Sequence, residues 1–382
     1  MSDYDAIVVG CGSMGSAALF HLANRGTRVL GLEQFDVPNE FGSSVGTNRI
    51  IRLAYAEDPR YVPLVRRAYR LWHELEQLAS ERLLIQTGSI DAGPENGVIV
   101  SGSKRSCAEH DLPHDVLDAA MLRRRFPGYQ LAPNMMAVYQ PQGGFLMSER
   151  CIVAHISAAL ARGAEIHGRE RVTAWEPIDN ETRVRVRTES AVYHARSLVL
   201  TAGPWTAALV PDLRPIAKPE RQVMLWVQPI VPAHFHVDNF PVFYMEAEEG
   251  RFYGFPAYSV PGFKFGKYHH LREQVQPDTV DRACHPQDEA ALREGLRRYF
   301  PDANGPTLAM KVCMFTNTPD EYFVIDHHPR SRSVVVAAGF SGHGFKFSSV
   351  VGEILADLAV DGGTSWDIDL FSWNRPALED AR

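Results

Sequence analysis

The chain has 382 residues, 45% hydrophobic and 22% charged, with a formal net charge of −7. That length buries two domains or one large interleaved unit, and an acidic balance without a polybasic run argues against nucleic acid or an anionic membrane as partner. Five cysteines without a Cys-x-x-Cys pair argue against a disulfide framework, and the absence of 18 consecutive apolar residues argues against a membrane span.

The acidic start, Met1 to Asp5, runs directly into an apolar strand and leaves no room for a signal peptide, so a cytoplasmic location is expected. Ala6 to Val9 reads as a buried parallel strand entering Gly10-Cys11-Gly12-Ser13-Met14-Gly15. Gly10 allows the tight turn, Gly12 lets backbone approach a pyrophosphate, and Gly15 lets the following helix pack on the strand. The helix opens at Ser13 and Met14, with its unpaired N–H groups facing the phosphates. Arg28 to Leu32 forms a second strand that delivers Glu33 and Gln34, where a carboxylate accepts hydrogen bonds from an adenosine ribose. Strand, loop, helix, strand and acid in this order predict a dinucleotide site, of NAD or FAD.

A loop over 39–48, containing Ser43 and Ser44, leads into Arg49-Ile50-Ile51-Arg52. If that turn is helical, Arg49 and Arg52 share a face. Apolar residues from Val62 to Leu78 recur at helical spacing, and 149–163 reads as another amphipathic helix. Between them, residues 85–145 alternate short strands with polar, proline-containing turns, which predicts an inserted antiparallel layer. Strands follow at Val172–Glu176, Thr182–Thr188 and Ala195–Thr201, the last ending in the small-residue turn Ala202-Gly203-Pro-Trp205. Aromatic and β-branched runs over 216–325 predict an antiparallel sheet, interrupted by a helix near Pro286–Tyr299. The strand Ser333–Phe340 runs into Ser341-Gly342-His343-Gly344-Phe345-Lys346 and a helix to about Val360. No metal-ligand cluster is found; the adjacent pairs His269-His270 and His327-His328 point to opposite faces of a strand. Cofactor-binding pieces are thus scattered over 6–33, 40–50, 172, 195–206 and 333–350. Needing the C-terminal segment to complete the site favours a flavin.

Four segments carry a specific resemblance: Asp5 to Gly15, Arg49 to Tyr55, Cys313 to Phe323 and Ala338 to Phe347. Together with Phe371 to Leu378 they resemble the monomeric sarcosine oxidase and N-methyltryptophan oxidase family nearly end to end. The resemblance implies a mixed α/β chain with a glutathione-reductase-like FAD-binding domain (1–85, 146–215, 326–382) interleaved with an antiparallel-sheet catalytic domain (86–145, 216–325). It implies a monomer that oxidises a secondary amino acid with O2, giving an amino acid, formaldehyde and H2O2. Oxidation of cyclic or glycated secondary amino acids, and a non-catalytic flavin-binding redox role, are the alternatives.

Residue by residue, Cys313 matches the cysteine that attaches the flavin covalently through a thioether. Lys264 matches the lysine that promotes reaction with O2, where a fixed cation in a dry site stabilises developing negative charge. Arg52 and Lys346 match the pair that binds the substrate carboxylate, and Tyr253 an active-site tyrosine. Arg49 matches an arginine that lies against the flavin ring, and Ile50 a cofactor contact beside it. The resemblance implies that Val172, Ala202, Gly203, Trp205, Gly339, Gly342, His343 and Gly344 complete the cofactor contacts, the last turn presenting backbone N–H groups to the flavin's pyrimidine end. Three positions depart from the family. Val45 stands where a histidine is found, Phe315 replaces a tyrosine, and Tyr268 replaces a second histidine, for which His269 or His270 could substitute by a one-residue shift. The pocket is therefore expected to be less polar than one suited to sarcosine.

Overall fold

In the computed structural model, which describes residues 4–259, 262–379 and 381, three sheets organise the chain. The reading of Met1 to Asp3 lies outside these residues. The first sheet has a parallel heart. Tyr4–Val9 pairs on one side with Val29–Leu32 and on the other with Val192–Leu200, and Glu165–His167 and Ser331–Ala338 extend it. The short strands are rich in Val, Ile and Leu, as strands buried on both faces must be. Their alternation separates two cores. Ala6 and Val8 pack under the helices Ser13–Asn24, Tyr61–Ala79, Ser148–Leu160 and Ser348–Asp361. Ile7 and Val9 face the antiparallel hairpin of Val172–Ile178 and Arg183–Thr188, together with Val210, Leu213 and Trp373.

The second sheet runs in the order Thr307–Asn317, Lys218–Val227, Phe263–Lys267, Gly250–Phe255, Val242–Ala247, Ser89–Pro94, Met135–Gln140, Asp115–Asp118. It is antiparallel except where Val242–Ala247 pairs parallel with Ser89–Pro94. One face is a dry core containing Ile90, Ala92, Val223, Leu225, Phe243, Phe252, Phe263, Phe265 and Val312, with Leu292 and Leu296 of the helix Pro286–Tyr299. The period of two then turns Asp91, Met224, Tyr244, Tyr253, Lys264 and Cys313 to the opposite face, towards the first sheet. A three-stranded sheet of Asn48–Ile51, Gly144–Met147 and Leu84–Gln86 lies beside them.

Two expectations need correction. Residues 85–145 contain helices at Val98–Glu109 and Ala119–Arg125 in addition to strands. The first hides its period because serines occupy inward positions: Ile99, Val100, Ser103, Ser106 and Cys107 are the buried set. Asp118 caps the second by accepting a hydrogen bond from Met121 N at 2.7 Å. Arg49 also does not share a helical face with Arg52, because Asn48–Ile51 is a strand paired with Gly144–Met147.

Candidate active site

A large cleft of about 1450 Å³, including its mouth, opens at the C-terminal ends of the parallel strands. Its floor is the glycine loop. Gly10 has φ +90°, and a Cβ there would lie 2.6 Å from Thr201 O. A Cβ on Gly15 would lie 1.9 Å from Gly10 O, so the helix sits directly on the loop. A Cβ on Gly12, by contrast, would meet no atom within 4 Å and would point into open space. Glu33 is buried at the end of the second strand, where its carboxylate accepts from Cys11 N at 2.9 Å and Phe35 N at 3.1 Å. Gly10, Gly12, Ser13, Met14, Glu33, Gln34, Ser43, Ser44, Arg49, Val172, Ala202, Gly203, Trp205, Gly339, Gly342 and Gly344 all line this cleft. Gly15 does not line it and acts through packing. The cleft also recruits Phe35, Glu170, Arg171, Met314 and Thr316, which sequence reasoning did not single out.

A second cavity of about 590 Å³, including its mouth, continues from the first, and Arg49, Phe315, Gly342 and Phe345 line both. It gathers Ile50, Arg52, Tyr253, Cys313, His343 and Lys346 from the expected set, and adds Met224, Tyr244, Phe255 and Tyr268. Its walls are aromatic: the Tyr268 ring lies 5.2 Å from Tyr244, 5.6 Å from Tyr253 and 5.3 Å from Phe315. Val45 is buried in an apolar cluster with Met224, Trp226, Cys313 and Phe315.

The charged groups are held individually. Arg49 donates to Asn48 O at 2.7 Å and Ser43 O at 2.8 Å, stapling the loop that precedes it. Arg52 is buried, donates to Ala54 O at 2.6 Å, and pairs with Glu57 at 3.0 Å and Asp91 at 3.3 Å. Burial alone would raise the Glu57 carboxyl, but Arg52, with His343 and Lys346 nearby, holds it at about 2. Lys346 donates to His343 O at 2.8 Å, and burial, reinforced by Arg52, lowers it to about 7. His343 donates from Nε2 to Glu321 O at 3.0 Å, while Nδ1 meets the Tyr55 hydroxyl. Burial lowers this imidazole to about 4. Both ring nitrogens are therefore spent on holding the turn, and the side chain this turn offers a ligand is that of Lys346.

Two expected catalytic groups lie outside both linings. Lys264 Nζ donates to Gly46 O at 2.6 Å, Asn48 Oδ1 at 2.9 Å and Asn48 O at 3.0 Å, in the loop just before Arg49. Burial draws its pKa well down, against three acceptors that suit the three protons of an ammonium. His269 is not brought to the cavity. It bonds Glu220 at 3.0 Å and Glu321 at 2.8 Å behind Tyr268, and those two carboxylates raise it to about 9.

The FAD dependent oxidoreductase family matches residues 5–358. The chain belongs to this family. Monomeric sarcosine oxidase of Streptomyces avermitilis is 44% identical over 386 residues, covering 99% of each chain. N-methyl-L-tryptophan oxidase of Yersinia pestis is 36% identical over 377 residues, covering 98% of this chain and 99% of that one. Among solved structures, NikD, an unusual amino acid oxidase essential for nikkomycin biosynthesis, superposes with a TM-score of 0.84 at 26% identity, over 97% of this chain and 98% of its own. The fold is that of the flavoprotein oxidases. The cleft of this FAD-dependent oxidoreductase fits the cofactor: space above Gly12 for a pyrophosphate, a buried Glu33 carboxylate beyond it, and a passage at Arg49 into the aromatic cavity. Among the described residues no helix is long and apolar enough to cross a membrane, and no cluster of His, Cys, Asp or Glu is placed to hold a metal ion.

Proposed function

We propose that this oxidoreductase is a monomeric oxidase of N-methyl amino acids. The substrate's N-methyl amine is oxidised to the imine as O2 becomes H2O2, and water then splits the imine into amino acid and formaldehyde. One observation carries the reading: a cleft floored by the glycine loop continues into a small aromatic cavity that presents Arg52 and Lys346 beside Cys313. FAD bound in the cleft supplies the two-electron acceptor for the amine and the place where O2 is reduced.

The rest is the work of the chain. The guanidinium fork of Arg52 and the Lys346 ammonium hold the substrate carboxylate and so fix the amine. Tyr244, Tyr253, Tyr268 and Phe315 exclude water around it. Phe315 and Tyr268 in the lining, with Val45 packed behind Phe315, make the pocket less polar, which favours an N-methyl amino acid with a larger apolar side chain over sarcosine. Cys313, buried and in the lining, is the attachment point for a covalent flavin. Lys264 supplies the fixed positive charge that favours electron transfer to O2.

Purified protein should be yellow, should keep its colour in the acid-precipitated pellet, and should produce H2O2 and formaldehyde from N-methyl amino acids. Colour released into the acid supernatant overturns covalent attachment. Peroxide without formaldehyde transfers the activity to cyclic or glycated amines, and absence of both across the panel removes the oxidase reading.

A further inference from the structure

Asp91 is the one charged residue of the strand Ser89–Pro94. Its neighbours Ile90 and Ala92 enter the core of the second sheet, and Asp91 points to the other face at 1% exposure. Its Oδ2 accepts from Ser103 Oγ at 2.6 Å and lies 3.3 Å from Arg52 Nη1. Its Oδ1 has no hydrogen-bond partner among the described residues. A buried carboxylate with one idle oxygen is costly, so its presence calls for a function. Arg52 is thus gripped from two sides. Glu57 takes Nη2 through both oxygens, at 3.0 and 3.2 Å, and Asp91 meets Nη1. Arg52 lines the cavity, and neither carboxylate does.

We propose that Asp91 is the positioning residue of Arg52: it fixes the Nη1 edge from behind and offsets part of its charge, so that the ionisation of Asp91 sets the cavity's hold on an anionic substrate. This rests on the reading of Arg52 and Lys346 as the carboxylate site. With one edge anchored by Asp91, the other edge can exchange Glu57 for a substrate carboxylate without the guanidinium leaving its place.

The groups facing Asp91 are few. Arg52 and Glu57 come from the 52–57 loop, Lys346 from the C-terminal turn, and Ser103 and Cys107 from the helix Val98–Glu109. Tyr244 and Val138 flank it on the neighbouring strands. Burial, opposed by Arg52 and Ser103, lifts the Asp91 carboxyl to about 6. Cys107, pushed up to about 12 by burial, stays neutral, and Lys346 titrates higher than Asp91, at about 7. As pH falls through about 6, Asp91 becomes neutral, the charge of Arg52 is less offset, and an anion binds more tightly.

The test uses the flavin-loaded protein and methoxyacetate, which is sarcosine with an ether oxygen in place of the amine and stays ionised to about pH 5. Calorimetry follows its affinity between about pH 5 and 8, with 2-methoxyacetamide as the uncharged control. Removing one charge within roughly 8 Å of the bound carboxylate, at an effective dielectric of about 20, changes affinity on the order of ten-fold or more. Asp91→Asn should bind methoxyacetate about ten-fold more tightly than wild type at neutral pH, lose the gain near pH 6, and leave the amide unchanged. Ser103→Ala keeps the charge but removes a bond to it, and should move the step in the wild-type profile to higher pH. Equal or weaker binding by Asp91→Asn overturns the proposal. If that variant does not fold, an unmoved step in Ser103→Ala does so. Methoxyacetate binding that is indifferent to Arg52→Gln fails the underlying reading of the cavity instead, whatever Asp91 does.

Discussion

Lys346 and Lys264 are both buried ammonium groups, yet their surroundings assign them different work. Lys264 meets three oxygen acceptors and lies over the Phe255 ring at 4.5 Å, so its position is fixed. Lys346 has one acceptor, His343 O, and lies over the Tyr55 ring at 5.2 Å, which leaves donor capacity for a ligand. Its pKa, lowered to about 7 by burial and Arg52, means that its cation is present below pH 7 and lost above it. The inhibition constant of a carboxylate ligand lacking an amine should therefore rise as pH increases through about 7. Lys346→Met should flatten that arm and weaken binding roughly ten-fold, as expected for a lost charge-assisted hydrogen bond. An arm that persists in the variant removes Lys346 from the anion site. At this scale the sequence was informative wherever a residue type sat inside a family motif: Arg52, Cys313 and Lys346 all reach the cavity. It was silent on Asp91 and Glu57, whose meaning lies in contact with Arg52 across the fold. The one available signal was an acid at an inward position between Ile90 and Ala92. His269 fails for a related reason. Adjacent residues in the turn after the strand Phe263–Lys267 face different ways, and Tyr268 takes the cavity while His269 takes the carboxylates behind it.

The elements that carry the site follow simple periods, and this explains what could be read from them. In the second sheet a two-residue alternation puts Phe243, Phe252, Phe263 and Phe265 on the core face and Asp91, Tyr244, Tyr253, Lys264 and Cys313 on the site face. Phe263-Lys264-Phe265 shows that pattern in the sequence itself. The helix Val98–Glu109 was missed because Ser103 and Ser106 stand where apolar residues would have marked its buried stripe. The glycine loop was read correctly as an element, and its glycines now divide into two classes. Gly15→Ala places a methyl group 1.9 Å from a backbone oxygen, so strand and helix must separate, and melting temperature should fall by several degrees even without flavin. Gly12→Ala meets no protein atom within 4 Å, so the flavin-free protein should melt as wild type does. Its flavin content should nevertheless drop, since the methyl group stands where the pyrophosphate approaches. Thermal melts beside flavin absorbance separate the two effects. Equal losses of stability in both variants contradict the division.

At the scale of the whole molecule, both sheets and both ends of the chain build one site. The cleft takes Gly10 to Met14 from the first loop, Met314 to Thr316 from an edge strand of the second sheet, and Gly339 to Gly342 with Gly344 and Phe345 from the turn before the C-terminal helix. That helix, Ser348–Asp361, lies so close to Ser13–Asn24 that a Cβ on Gly352 would come within 2.5 Å of Ala17. The glycine motif therefore holds one end of a space whose other end, at Cys313, is formed some 300 residues later in the chain. A ligand that spans surfaces from both sheets stabilises the folded chain by mass action, because the unfolded chain has no such cleft. If Cys313 carries the flavin covalently, that stabilisation is built into the wild-type protein, and added FAD has nothing left to bind. In Cys313→Ala the same contacts must be made reversibly. The melting temperature of Cys313→Ala should then climb with FAD concentration, gaining on the order of 3 kcal/mol at a hundred-fold excess over its dissociation constant. The melting temperature of the loaded wild type should not respond. Hydrogen exchange should report the same linkage, with added FAD slowing exchange in both Gly10–Asn24 of the first sheet's layer and Thr307–Asn317 of the second sheet in the variant. Protection confined to the first segment would mean that the cofactor is held by the glycine loop alone, and the two sheets would then have to be treated as independent binding and catalytic units.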